Sequence, residues 1–146
     1  MQDKKKHKKS KNKFILDKYT QDIYPPYNLY VMINHTAEDI SKRFLWDDGE
    51  EIDKVDLDEY QGLTYGIVYN KNDKNGLLSV LVCLNCDKFN DDVDAMNTIA
   101  HEAFHVVFRI FNHCNIPLSK DTNEPYAFMT GWAAKNIYNT YKKYKK

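Results

Sequence analysis

The sequence predicts an α+β fold in which a small, mainly antiparallel sheet packs against one long helix. Three β-rich runs, at residues 27–34, 62–69 and 77–84, supply strands for the sheet. Two helical patterns follow, one after residue 90 and one from about residue 122. A chain of 146 residues that is 42% hydrophobic can fill one core, so we expect a single domain over residues 14–146.

The first half of this domain begins with a strand and a helix. Pro25 and Pro26 precede the first β-rich run, and Thr36 is well placed to cap a helix over residues 37–46. The Asp-Asp-Gly segment at residues 47–49 would end that helix.

A loop and a β-hairpin are expected next. The acidic segment at residues 50–59 has little periodicity and is read as a loop. Residues 62–69 and 77–84 are separated by N-K-N-D-K-N-G at residues 70–76, which predicts that the two runs pair as a hairpin.

The strongest predicted element is the helix that starts after residue 90. Asn90, Asp91 and Asp92 supply an N-cap and acidic first-turn residues. Apolar side chains then recur at helical spacing, with no Gly or Pro among them: Val93, Met96, Ile99, Ala100, Ala103, Phe104, Val107, Ile110 and Phe111.

An H-E-A-F-H motif lies inside this helix. Because a helix turns about 100° per residue, His101 and His105 project from one face about 6 Å apart, close enough to bind one metal ion. Glu102 lies beside the pair. Zinc held in this way lowers the pKa of a bound water towards about 7, and the neighbouring carboxylate takes the proton. The motif therefore predicts a zinc site with Glu102 as general base.

A catalytic zinc ion usually has three protein ligands, so a third is needed. His113 lies eight residues after His105, about 12 Å further along the helix axis, and cannot share the ion. Glu124 lies 19 residues after His105, at the start of a second helix that Thr122 or Asn123 can cap. Small residues follow at helical spacing and would let the two helices approach closely: Ala127, Gly131 and Ala134. Glu124 is the predicted ligand, and a solvated first-turn acid is the alternative.

With these residues the chain resembles the gluzincin branch of the zincin metallopeptidases, in which H-E-x-x-H on one helix is completed by a Glu at the start of the next. Over about residues 92–140 it is also similar to small phage and prophage proteins. Those proteins combine an H-E-x-x-H helix, a short loop and a segment of the form E-x-x-A-aromatic-x-x-G, which here begins at Glu124.

The resemblance implies a minimal zincin-like domain in which His101, His105 and Glu124 bind zinc and Glu102 is the general base. It also implies that a strand bordering the cleft holds an extended peptide, for which residues 77–84 or the first strand are candidates. The group that stabilises the developing oxyanion is not identified, although Tyr65 and Tyr69 of the hairpin are available.

The formal net charge of zero conceals an uneven distribution. Residues 1–13 carry seven Lys and one Asp, and residues 142–146 carry four Lys. Removing these from totals of 21 basic and 21 acidic residues leaves ten basic and twenty acidic residues in the body. We expect the N-terminal segment to be a disordered, solubilising tail. The alternative is non-specific contact with an acidic protein surface or nucleic acid.

The three cysteines and the lack of long apolar runs indicate a protein of the cytoplasm, or of a virion if phage-encoded. Cys83, Cys86 and Cys114 are an odd number in a chain that begins without the apolar core of a signal peptide, so reduced packing thiols are expected. A zinc or redox role for the C-x-x-C at Cys83 is the alternative. Nothing approaches the roughly 20 apolar residues of a membrane span, and the oligomeric state is not predicted.

Three functions are compatible with these features. The first is a zinc-dependent hydrolase, most simply a peptidase that acts on a peptide or protein substrate. The second is a structural or interaction protein, for example a phage virion component, that keeps a zincin-like fold without proteolytic activity. The third is a nucleic-acid-associated protein that uses the Lys-rich tail. The H-E-x-x-H motif favours the first.

Overall fold

The computed structural model describes residues 13–21, 27–73 and 76–146. Within these residues the chain forms five strands and three helices. In chain order they are β1 (Ile15–Gln21), β2 (Tyr27–Ile33), α1 (Ala37–Arg43), β3 (Phe44–Trp46), β4 (Gly62–Asn70), β5 (Ser79–Leu84), α2 (Asp92–His113) and α3 (Asn123–Lys145). The predicted α+β class is confirmed. The expected basic tail, apart from Lys13, lies outside the described residues.

The five strands form one mixed sheet in the order β1-β2-β5-β4-β3. The predicted β4–β5 hairpin is confirmed as an antiparallel pair, and β1–β2 and β3–β4 are antiparallel as well. β2 and β5 pair in parallel at the centre. Every residue of these two strands is buried, which is the pattern of strands covered on both faces. Because each has a neighbouring strand on both sides, the expectation that β5 or β2 pairs with an extended peptide is wrong.

Two cores lie on opposite faces of the sheet, because successive strand residues point to opposite sides. Leu29 and Val31 of β2 point to the face that α2 and α3 cover. Tyr30 and Met32 point to the other face, which α1 and the segment around Ile52 cover. The sheet thus lies between a layer of two long helices and a smaller layer.

The helix predicted from residue 37 is shorter than expected. Its cap is confirmed, since Thr36 Oγ1 accepts from Asp39 N at 3.2 Å and Thr36 N donates to Asp39 Oδ2 at 2.9 Å. α1 nevertheless ends at Arg43, and the next three residues form β3 against the end of β4. The extension of this helix to residue 46 is wrong, because Phe44 is buried as a strand residue.

The two long helices form where the sequence predicts them, but α3 packs through a different face. The buried face of α3 consists of larger side chains: Tyr126, Met129, Ala133, Ile137, Thr140 and Tyr141. Ala127 and Gly131 are exposed, and a Cβ at Gly131 would have no neighbour within 4 Å. The expected close approach of α3 along its small residues is therefore wrong, because larger side chains bury more apolar area.

The cysteines are free thiols that pack in the structure, as expected. Cys83 and Cys86 are buried, and Cys114 is half-buried. Burial raises the pKa of Cys83 and raises that of Cys86 to about 12, whereas redox and metal-binding thiolates have lowered pKa values.

None of the described helices combines the length and apolar character required to cross a membrane.

Candidate functional site

The two histidines of the H-E-A-F-H motif meet on the surface of α2. Their Nε2 atoms lie 3.1 Å apart, with His101 exposed and His105 half-buried. Two nitrogens bound to one tetrahedral zinc ion at about 2.0–2.1 Å lie about 3.3 Å apart. The pair therefore has the spacing of two ligands to one metal ion. Without a metal ion, a hydrogen bond between the two Nε2 atoms requires one ring to donate and the other to accept, so the two rings must be different tautomers.

Glu102 points from the same helix towards β4. Only 5% of its surface is exposed, and Thr64 Oγ1 donates to its Oε2 atom at 2.5 Å. A buried carboxylate needs such a partner to offset the loss of water. The bond fixes one oxygen of Glu102, while His101 and His105 remain on the solvent side of the helix.

Gly62 of β4 allows α2 to lie close against the strand, and Gly66 contacts the same helix further along. A Cβ at Gly62 would be 2.8 Å from Thr98 Cγ2 and 3.0 Å from Glu102 Cγ, so a larger residue cannot fit without a shift. A Cβ at Gly66 would be 3.7 Å from Arg109 Cδ. We call this line of contacts the α2–β4 seam: Gly62, Thr64 and Gly66 on the strand, and Thr98, Glu102 and Arg109 on the helix.

A network of side-chain hydrogen bonds joins β4 to α2 at one end of the α2–β4 seam. Gln61 donates from Nε2 to Asp94 Oδ2 at 2.8 Å and accepts from Thr98 Oγ1 at 3.1 Å. Asp94 also accepts from the backbone and side chain of Asn90 at 3.1 Å. The start of β4 is therefore bonded to the first turns of α2, which positions Glu102 two turns further on.

One side of β4 is open next to Glu102. β3 pairs only with the last three residues of β4, so within the described part of the chain residues 62–65 have β5 on one side and no strand on the other. Asn85 N donates to Gln61 O at 2.8 Å. In an antiparallel ladder this register directs the N–H and C=O groups of Gly62 and Thr64 away from β5.

Glu124 lies apart from this cluster, in the exposed first turn of α3. α2 continues for eight residues beyond His105, about 12 Å along its axis, before the chain turns back. At that far end Tyr126 packs on Phe111, with ring centroids 4.5 Å apart. Among the residues that the structure describes, no group of three or more His, Cys, Asp or Glu is arranged to hold a metal ion.

Of the two tyrosines considered for oxyanion stabilisation, Tyr65 does not face α2. Tyr65 is buried on the opposite face of the sheet, with its ring 6.0 Å from that of Trp46, and burial raises its pKa to about 12. Tyr69 pairs with Leu45 of β3, away from the start of β4.

Sequence reasoning identified the His pair and Glu102 but missed the strand side of the site. Thr64, both seam glycines and Arg109 were not singled out. A signal was available, because the run G-L-T-Y-G places small residues at alternate positions of a strand. Such a face permits another backbone to approach closely.

Comparison of the chain with protein-family models, with curated proteins and with solved structures finds no match. The geometry of the site therefore carries the functional argument.

Proposed function

We propose that the protein is a zinc-dependent hydrolase, most simply a peptidase, in which His101 and His105 bind the metal and Glu102 is the general base. The main support is the 3.1 Å separation of the two Nε2 atoms, together with a buried carboxylate at the residue that follows His101. Zinc bound there would supply a Lewis acid and a water of lowered pKa.

Glu102 is the general base in this proposal. The hydrogen bond from Thr64 occupies Oε2 and leaves Oε1 to take a proton from the attacking water. Glu102 then returns that proton to the leaving amine. The short bond from Thr64 also keeps the carboxylate from turning, so the base stays in one position through both transfers.

The substrate is an extended peptide that lies along the open side of β4. The free N–H and C=O groups of Gly62 and Thr64 offer backbone pairing. Because Thr64 also holds Glu102, pairing there brings a peptide bond beside the general base.

Glu124 is the third ligand in this proposal, on the strength of the gluzincin resemblance. In the described arrangement it would have to approach the His pair by a movement of the first turn of α3. The affinity for zinc shows whether Glu124 or a water molecule is the third ligand. Glu124→Gln weakens zinc binding if Glu124 is a ligand, and leaves it unchanged if water completes the coordination.

The test uses the full chain loaded with zinc. Wild type should bind one zinc and cleave an unstructured protein such as casein, and His101→Ala should lose the metal. Glu102→Gln should keep the metal and lose cleavage by at least a hundredfold, in line with general-base catalysis of about 10²–10⁴-fold. Glu38→Gln, which changes an exposed acid of α1, is the control. Cleavage by Glu102→Gln at the wild-type rate would refute the proposal.

A second function is a structural or interaction protein that keeps this fold without proteolytic activity. One observation favours it, namely that no third ligand stands beside the His pair among the described residues. This alternative predicts that wild type binds zinc but cleaves no unstructured protein.

A further inference from the structure

Arg109 is a cation at the edge of the proposed site that has no ion-pair partner among the described residues. The chain has only two arginines, Arg43 and Arg109. No hydrogen bond or ion pair of the described residues involves the Arg109 guanidinium. Its donors are therefore available to a ligand.

The guanidinium lies against the strand, although Arg109 as a whole is exposed. A Cβ at Gly66 would lie 3.7 Å from Arg109 Nη1 and 3.9 Å from Cζ. These are ordinary contact distances, so the glycine provides the surface on which the planar group rests. A guanidinium that already contacts the strand loses less conformational freedom when it binds a partner.

Arg109 also lies within reach of the reacting groups. It follows His105 by four residues on α2, which places both side chains on one edge of the helix. Along β4, Gly66 is two residues beyond Thr64, at most about 7 Å at the rise of a strand, and it lies where the pairing of β4 with β5 is irregular. A peptide whose scissile bond lies at Glu102 therefore has a group one or two residues away beside Arg109.

We propose that Arg109 binds a carboxylate of the substrate, one or two residues from the bond that is cleaved. This inference rests on the proposed function. A guanidinium binds a carboxylate through two parallel N–H donors, and the negative body repels anions elsewhere on its surface. The carboxylate belongs either to the C-terminus of a short peptide or to an Asp or Glu side chain.

The kinetic arm of the test compares four forms of one fluorogenic octapeptide, with zinc-loaded full chain. The forms carry a terminal acid or amide, combined with Glu or Gln beside the cleavage site. For wild type, kcat/KM should be higher by about tenfold or more for one carboxylate form than for the matching uncharged form, mainly because KM is lower. A preference for the acid terminus identifies the C-terminal source, and a preference for Glu identifies the side-chain source.

The variants decide whether Arg109 is responsible. Arg109→Gln should remove the preference, Arg109→Lys should retain part of it, and the control Arg43→Gln should leave it unchanged. A preference that survives Arg109→Gln overturns the proposal. So does a fall in kcat that is equal for carboxylate and amide forms, because that result assigns Arg109 to the oxyanion.

The binding arm does not depend on turnover. Zinc-loaded Glu102→Gln is titrated with the same four peptides while the NMR signals of Gly66 and Arg109 are followed. Tighter binding of the carboxylate form, lost when Arg109→Gln is added, supports the inference even if no peptide is cleaved and the proposed hydrolase is wrong. Equal binding of carboxylate and amide forms refutes the inference even if cleavage is observed.

Discussion

Thr64 and Gly62 determine how Glu102 is held against β4, and each acts through one contact. Thr64 supplies the hydrogen bond to a carboxylate that is 5% exposed. Gly62 supplies the space, since its missing Cβ would be 3.0 Å from Glu102 Cγ. The motif residues are local to one helix, whereas these two partners come from a strand almost forty residues earlier in the chain.

Thr64→Val should destabilise the fold and impair the base. The substitution keeps the volume but leaves Glu102 Oε2 buried without its donor, at a cost of about 1–3 kcal/mol in the free energy of unfolding. Urea denaturation measures this loss. Thr64→Ser keeps the hydroxyl and is the matched control. An unfolding midpoint for Thr64→Val equal to that of wild type would show that the hydrogen bond has no net effect.

Gly62→Ala and Gly131→Ala should change stability in opposite directions. The first places a methyl group 2.8 Å from Thr98 Cγ2, and overpacking of this kind costs about 1–3 kcal/mol. The second adds a methyl group where nothing lies within 4 Å, inside α3, and Ala stabilises a helix by up to about 1 kcal/mol over Gly. Thermal unfolding of both variants is the measurement. Equal shifts would contradict the described approach of α2 to β4.

At the scale of elements, β1 and α3 are joined by a junction around Asp17. Its Oδ2 atom accepts from Thr140 Oγ1 at 2.8 Å and from Lys143 Nζ at 2.7 Å. Burial alone would raise the pKa of Asp17, but the hydrogen bonds and the charge of Lys143 together bring it below its ordinary value. This junction holds the edge strand β1 against the end of α3.

The Asp17 junction should make the fold sensitive to acid. A lowered folded-state pKa means that the folded protein favours the ionised form of Asp17. The ionised carboxylate therefore adds to the free energy of unfolding at pH values above the ordinary carboxyl pKa of about 3.9. This contribution is lost as pH falls through the folded-state pKa. Urea unfolding of wild type and Asp17→Asn between pH 7 and pH 3 tests this. The difference in free energy of unfolding between wild type and Asp17→Asn should become smaller as the pH falls. A difference that does not change with pH would show that Asp17 does not stabilise the fold through its charge.

The elements that the sequence predicts are those with strong local signals. α2 has an acidic N-cap and an unbroken apolar pattern, and Asp91 caps it as expected. The last turn predicted for α1 is wrong because the local sequence around Phe44 fits a helix as well as it fits a strand. Pairing with β4, which the local sequence does not reveal, makes Phe44 a strand residue. β1 is not predicted, since its run I-L-D-K-Y-T-Q alternates weakly.

At the scale of the whole molecule, the sheet order decides which strand borders the site. The sequence identifies β2, β4 and β5 as strands but contains no local signal for the parallel pairing of β2 with β5. That pairing places β5 inside the sheet and leaves the first half of β4 open beside α2. The His pair and Glu102 are thus predictable from spacing within one helix. Their partners on β4 depend on a long-range arrangement.

The most direct test of the central claim is X-ray absorption of the full chain loaded with one equivalent of zinc. We expect two imidazole nitrogens at about 2.0–2.1 Å from the metal. We also expect His101→Ala and His105→Ala each to abolish stoichiometric binding, while the control His113→Ala keeps it. Zinc that binds with unchanged affinity when His101 and His105 are both replaced would show that these histidines are not its ligands.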